Sequence, residues 1–157
     1  MESYPYFPLF VDLSGKRLLV VGAGRIARRR IETLLQFAPR LRVIAPETDP
    51  ALAPWEAEGR LEVLRRPYAP GDAAGAELVF AAAGDPQVNL QVAEECRHLG
   101  IPVNVASDRS LCDFYFPGVA RRERLVVGVT ASGADHALAR RVTERVRDLL
   151  EEEYRGE

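Results

Sequence analysis

Short apolar runs and amphipathic stretches alternate along the first two thirds of the chain. Arg17-Leu18-Leu19-Val20-Val21 is a compact apolar run and predicts a buried strand. Gly22-Ala23-Gly24 interrupts it, after which Ala27, Ile31, Leu34, Leu35 and Ala38 recur at helical spacing until Pro39. Leu41-Arg42-Val43-Ile44-Ala45 predicts a second strand, stopped by Pro46, and a short helix is expected over residues 51–58, closed by Gly59. Leu61-Glu62-Val63-Leu64 reads as a third strand by alternation, and Pro67, Pro70 and Gly71 mark a loop. A fourth strand is expected over residues 77–82. Val88, Val92, Cys96 and Leu99 then form a helical stripe ended by Gly100, and Pro102-Val103-Asn104-Val105 predicts a fifth strand. Such alternation pairs the strands in parallel and places helices on both faces. The expected class is therefore α/β, a doubly wound parallel sheet over about residues 17–106.

The pattern then changes. Phe114-Tyr115-Phe116 and the strongly β run Leu125-Val126-Val127-Gly128-Val129-Thr130 flank the polar turn Arg121-Arg122-Glu123-Arg124, and the two runs are expected to form a β-hairpin. From Asp135, a suitable N-cap, to Tyr154 the chain reads as a helix with Leu138, Val142, Val146, Leu149 and Leu150 on one stripe. A hairpin and one helix make a poor core alone, so this segment must pack on the sheet domain or on another subunit. Its surplus of apolar surface favours a homodimer. The expected division is a dinucleotide-binding domain over residues 1–113 and a hairpin-helix dimerisation and substrate segment over residues 114–157.

Composition narrows the class. A content of 47% hydrophobic and 28% charged residues is that of a globular chain and excludes a disordered one. The net charge of -2 argues neither for nor against nucleic acid, and none is expected as a partner. The start lacks the basic region and long apolar run of a secretion signal, and no run approaches a membrane span, so a cytoplasmic setting is expected. Cys96 and Cys112 have no metal-ligand spacing, and no resident metal site is expected.

Gly22-Ala23-Gly24-Arg25-Ile26-Ala27 fits G-x-G-x-x-A and sits between the first strand and the first helix, the context that a Rossmann-like dinucleotide site requires. The first glycine permits the tight turn, the second lets the backbone approach a diphosphate, and Ala27 allows close helix-sheet contact. The helix N-terminus offers free N–H groups to the phosphates. The acidic residue that grips the ribose usually ends the second strand, where this chain has Ala45-Pro46 with Glu47 slightly later. Glu47 or backbone groups are the candidates for that role, and Arg25 for a phosphate.

Several stretches resemble the precorrin-2 dehydrogenase family, which includes stand-alone enzymes and the N-terminal part of fused sirohaem synthases. They are residues 6–13, Val20-Val21-Gly22-Ala23-Gly24, Ala27-Arg28-Arg29-Arg30, Val43-Ile44-Ala45-Pro46-Glu47, Asp85-Pro86-Gln87-Val88-Asn89, Val103-Asn104-Val105, Leu111-Cys112-Asp113-Phe114 and Thr130-Ala131-Ser132-Gly133-Ala134. The resemblance implies NAD-dependent oxidation of precorrin-2 to sirohydrochlorin, with ferrous iron as a further substrate in some members. It also implies a homodimer joined through the hairpin region and an active site in the cleft between domains. No methyltransferase domain is expected, since the sequence ends at Glu157. There are departures. Where the family often has Asn-Val-Val-Asp, this chain has Ser107 and then Asp108; Ala82-Ala83-Gly84 replaces Ala-Thr-Asp; Asp135-His136 replaces a Ser-Pro.

The oxidation gives a hydride to the nicotinamide and a proton to solvent, so orientation of the macrocycle over the cofactor dominates. Asp108 is the expected catalytic carboxylate, with Ser107 beside it and an Asx-type turn as its alternative role. The cofactor-binding set is Gly22, Ala23, Gly24, Arg25, Ile26, Glu47, Ala82, Ala83 and Asn104. Asn89 is expected to brace the loop before its helix. Precorrin-2 is a polycarboxylate, so cations are expected around it. Arg28, Arg121, Ser132 and His136 are the substrate candidates, with Ser132-Gly133-Ala134 as an anion-binding nest. The competing reading from a different class is a non-catalytic dinucleotide-sensing module.

Overall fold

The structure, a computed structural model, describes residues 4–156. β1 (Leu18–Val21) carries four consecutive buried apolar side chains, a demand that only a strand covered on both faces satisfies. It takes the middle of a parallel sheet formed with β2 (Leu41–Ile44), β3 (Leu61–Leu64), β4 (Leu78–Ala81) and β5 (Val103–Val105), in the order β3-β2-β1-β4-β5. Val20 is in register with Val43 on one side and Phe80 on the other. The chain reverses direction across the sheet between β1 and β4, the place where doubly wound sheets bind ligands.

The helices follow local chemistry. α1 (Arg25–Leu34) buries Ala27, Ile31 and Leu34. It stops before the expected Ala38, because Pro39 disfavours a helical residue ahead of it, and the chain tightens into turns such as Phe37 N–H to Leu34 O. A 3-10 turn, Pro50–Leu52, leads into the short α2 (Ala53–Ala57). α3 (Pro86–Leu99) starts with Asp85 capping the Gln87 N–H and proline at its first position. It ends where Gly100 takes a left-handed φ of 69°. Val92, Ala93 and Cys96 from α3 pack with Leu19, Val21, Ile44, Val79, Ala81, Val103 and Val105 in one core cluster.

β5 is the shortest strand and lies at the sheet edge. Its outward N–H groups are taken by side chains that follow it: Val103 N–H donates to Asp113 Oδ2 at 2.9 Å and Val105 N–H to Cys112 Sγ at 3.1 Å. The Asp113 N–H returns a bond to Val103 O at 2.9 Å.

The chain divides into two compact units, one of residues 11–114 and one in which described residues 4–10 join residues 115–156. The expected first domain therefore loses its opening residues to the second unit. Within that unit Tyr6 stacks on Tyr115 with ring centroids 4.2 Å apart, and its N–H donates to Ser132 Oγ at 3.2 Å. The hairpin is β6 (Gly118–Arg122) with β7 (Leu125–Val129), paired from Gly118↔Val129 to Arg122↔Leu125. Phe114-Tyr115-Phe116 lies outside it, a correction to the sequence expectation. Pro117 has no N–H to offer the ladder, so the strand begins after it.

α4 (His136–Glu153) packs on β6 so closely that a Cβ on Gly118 would lie 2.2 Å from Thr143 Oγ1. Arg147 Nη2 donates to Val119 O at 2.7 Å. Thr143 and Leu150 are the buried residues of α4, whereas Leu138, Val142 and Leu149 of the predicted stripe remain exposed within the single chain. Among the described residues, no helix is long and apolar enough to cross a membrane.

Candidate active site

The turn after β1 is shaped by its neighbours. Gly22 has φ 105°, and a Cβ there would lie 2.4 Å from the backbone oxygen of Ala82. Its N–H donates to Ile44 O and the Ala82 N–H to Val21 O, both at 2.8 Å, so the turn is stitched to β2 and β4 at once. Gly24 differs: its φ is -80°, and a Cβ there would meet nothing within 4 Å. Among the described residues, no contact demands glycine at this position. A diphosphate seated against the backbone would. Gly24 is the N-cap of α1, and no side chain caps the helix start and no acidic residue occupies its first turn. The exposed first-turn N–H groups fit a doubly charged phosphate bridge. Ala23 and Ala27 are buried beneath the turn, and Arg25 and Ile26 are exposed at its rim.

The structure places a carboxylate at this turn, one that the sequence reading did not select. Asp49 donates its N–H to Ala23 O at 2.8 Å, caps the Ala51 N–H at 2.9 Å, and places Oδ2 3.4 Å from Arg28 Nη1. Glu47 is exposed two residues earlier. The available signal was the Asp49-Pro50 pair, an N-cap followed by a proline that starts a turn. Arg28, expected to meet substrate, stands between Asp49 and Glu32, the latter at 3.5 Å. Its guanidinium joins α1 to the chain after β2.

At the ends of β4 and β5, two buried carboxamides organise the loops. Asn89, 1% exposed, accepts the Ala83 N–H at 2.9 Å and donates to Ala83 O at 3.0 Å and to Ser107 Oγ at 3.1 Å. The expected brace is thus present, and it reaches further, to the hydroxyl beside the candidate carboxylate. Ala82 is buried and Ala83 half-buried, so both contribute chiefly backbone here. Asn104, 2% exposed, accepts from Arg30 Nη1 and donates to Phe114 O at 2.7 Å, with Cys112 Sγ at 3.6 Å. Its side-chain amide is engaged within the protein, on β5, whereas the sequence expectation placed it at the cofactor. Burial draws the Arg30 guanidinium below its usual pKa, opposed by Cys112.

Ser107 and Asp108 are both exposed on the loop after β5. Asp108 Oδ1 accepts from Ser110 N–H at 2.8 Å and from Ser110 Oγ at 2.6 Å and so caps the 3-10 turn Arg109–Leu111. The Ser110 hydroxyl, then its N–H, hold the carboxyl below the usual carboxylate range. The Asx-turn role is real, and it leaves Asp108 ionised and a weak proton acceptor at neutral pH.

The remaining candidates belong to the C-terminal unit. That unit contains a cavity of about 240 Å³ whose lining includes Tyr115, Phe116, His136, Arg140, Thr143 and Arg147. His136 is on that lining; Arg121, exposed on β6, and Ser132 are not. Ser132 and Gly133 have left-handed φ values of 52° and 74°, and the Ser132 N–H donates to Thr130 Oγ1 at 3.1 Å. One N–H of the expected nest is therefore spent within its own turn.

Comparison with known proteins agrees with the glycine turn. A family model described as "Putative NAD(P)-binding" matches residues 9–118. The siroheme synthase of Pseudomonas putida (strain W619) is 42% identical over 149 residues, 95% of this chain and 32% of that protein. The siroheme synthase of Azotobacter vinelandii (strain DJ / ATCC BAA-1303) is 39% identical over 149 residues, with the same shares. The chain thus spans about a third of the length of the curated relatives it matches. A solved structure of "SirC, precorrin-2 dehydrogenase" superposes with a TM-score of 0.74 at 31% identity, covering 91% of this chain and 70% of that one. With its glycine turn, its strand order and these likenesses, the chain belongs to the NAD(P)-binding family of precorrin-2 dehydrogenase and the siroheme synthases.

Proposed function

We propose that the chain is an NAD-dependent precorrin-2 dehydrogenase that yields sirohydrochlorin for siroheme biosynthesis. The observation that carries this reading is the Gly22–Gly24 turn, whose second glycine opens on free space at an uncapped helix start. Residues 22–26 would hold the diphosphate through backbone N–H groups. Asp49, tied to the same turn, and the nearby Glu47 are the carboxylates for the ribose. NAD, when bound, supplies the hydride acceptor.

The protein's own part is orientation. The Ser107 hydroxyl accepts the Asn89 N–H, so its own proton is free to be donated outward to a polar group of the substrate. Asp108, held ionised by Ser110, presents fixed negative charge to the ring N–H groups, and the proton lost by the macrocycle passes to water. His136 and Arg140, on the cavity of the C-terminal unit, are the N–H donors for substrate carboxylates.

A homodimer belongs to the same reading. Leu125, Leu138, Val142 and Leu149 are exposed apolar residues of the C-terminal unit and suit a second copy of the chain. Ferrous iron would be a second substrate, bound by the ring nitrogens of sirohydrochlorin. Adding precorrin-2 and NAD to the purified protein is expected to raise absorbance at the reduced-nicotinamide band. Binding of NAD without that rise, and without calorimetric binding of sirohydrochlorin, would leave the dinucleotide-sensing module in its place. Metal uptake by sirohydrochlorin at the uncatalysed rate would remove the iron step.

A further inference from the structure

Arg30 is a half-buried cation of α1, and the proposed oxidation gives it no task. Its Nη1 donates to Asn104 Oδ1 across 74 positions of sequence. A guanidinium can only donate, so this bond dictates which end of the Asn104 amide faces α1. The other end, Nδ2, must then face the opposite way, where Phe114 O takes it at 2.7 Å and Cys112 Sγ lies at 3.6 Å. Cys112 in turn accepts the Val105 N–H at 3.1 Å and lies 3.3 Å from Val105 O and 3.5 Å from Asp108 O. The loop carrying Ser107 and Asp108 is therefore closed at its base by Asn104 and Cys112, and Asn104 is oriented from α1. The same helix begins at the glycine turn.

We propose that Arg30 is a positioning residue for the oxidation: through Asn104 it sets the Ser107–Asp108 loop relative to the helix that holds the cofactor diphosphate. The inference rests on the dehydrogenase reading above. Arg30 touches neither diphosphate nor substrate in this role, so its loss should act on turnover and not on cofactor affinity. A displacement of about an ångström between reacting groups costs on the order of a hundredfold in rate. A lysine keeps charge and a donor but loses the planar fork, so it restores part of the effect.

The test is a kinetic split in the 157-residue chain. Arg30→Met is expected to lower kcat at least about tenfold while the NAD dissociation constant, read by calorimetry, changes less than about threefold. Arg30→Lys should regain part of that loss. Arg30→Gln, which is milder, carries the test if the methionine variant does not fold, and should lower kcat with NAD affinity retained. A kcat within about twofold of the parent in whichever of the Met and Gln variants folds would overturn the role. A fall in kcat matched by an equal fall in NAD affinity would overturn it too. A parent chain that does not oxidise precorrin-2 removes the dehydrogenase reading and the Arg30 role together. An active parent with an equally active variant removes the Arg30 role alone.

Discussion

Asn89 Nδ2 lies 3.1 Å from Ser107 Oγ, while the same carboxamide brackets both the N–H and the carbonyl of Ala83. One buried side chain thus holds the backbone after β4 and the hydroxyl after β5 in a single frame. Ser107→Ala should lower kcat by about tenfold or more with melting temperature and NAD affinity nearly unchanged, because the hydroxyl is exposed and only one bond is lost. Asn89→Leu should destabilise the fold by about 1–3 kcal/mol, since it strands the Ala83 peptide groups. Urea unfolding beside steady-state kinetics separates the two. Equal stability losses would place Ser107 in the scaffold only.

The two glycines of the turn should respond in opposite ways. Gly22→Ala meets the Ala82 backbone at a left-handed φ, so the fold should lose at least about 2 kcal/mol. Gly24→Ala has room and an ordinary φ, so the apo protein should melt as the parent does. Its methyl group would nevertheless occupy the diphosphate's space, and NAD affinity should fall about tenfold or more. A Gly24→Ala protein with unchanged NAD affinity would remove the diphosphate from this turn.

Asp108 sets a pH expectation. The Ser110 bonds hold its carboxyl below the usual range. Whatever stability this capping gives is present above the unfolded-state value, near pH 4, and is lost as pH falls through the lower folded value. Asp108→Asn keeps a capping side chain but loses the charge. It should therefore fold normally and oxidise precorrin-2 more slowly across the whole pH range. In the parent, an acid limb of kcat near pH 6 would have to come from another group.

Burial acts the other way on the thiols. It pushes Cys96 up to about 12 and also raises Cys112. For Cys96 the folded state favours the protonated thiol. That contribution is complete below about pH 9 and is lost as pH rises from there toward 12. Replacing Cys96 with alanine should flatten the alkaline part of the stability curve by no more than about 1.4 kcal/mol per pH unit. In the native protein, alkylation should reach the half-buried Cys112 before the fully buried Cys96. Simultaneous labelling of both at pH 8 would contradict this order.

The sheet was legible because its strands are short apolar runs punctuated by proline and glycine. The glycine turn was legible because spacing alone defines it. The hairpin was misplaced by one aromatic run: apolar character marked Phe114–Phe116, but the missing N–H of Pro117 decided where pairing starts. The stabilising pairs around the site join residues far apart in sequence, as Arg30 does with Asn104 and Asn89 with Ser107. Periodicity reports which face a residue occupies and carries no information on such partners. Asp49 was passed over for Glu47 because a strand-end rule counts positions, whereas the chain after β2 bends back through the Asp49 N–H.

The closed rim of β5 limits how this protein can meet others. With Asp113 and Cys112 already answering Val103 and Val105, the edge has no vacant ladder at those positions for an incoming strand. A sixth strand, whether from a longer chain or a neighbouring molecule, would first have to evict the very loop that carries Ser107 and Asp108. Growth of the sheet on that side and retention of that loop are mutually exclusive, which shields the unit from edge-to-edge aggregation.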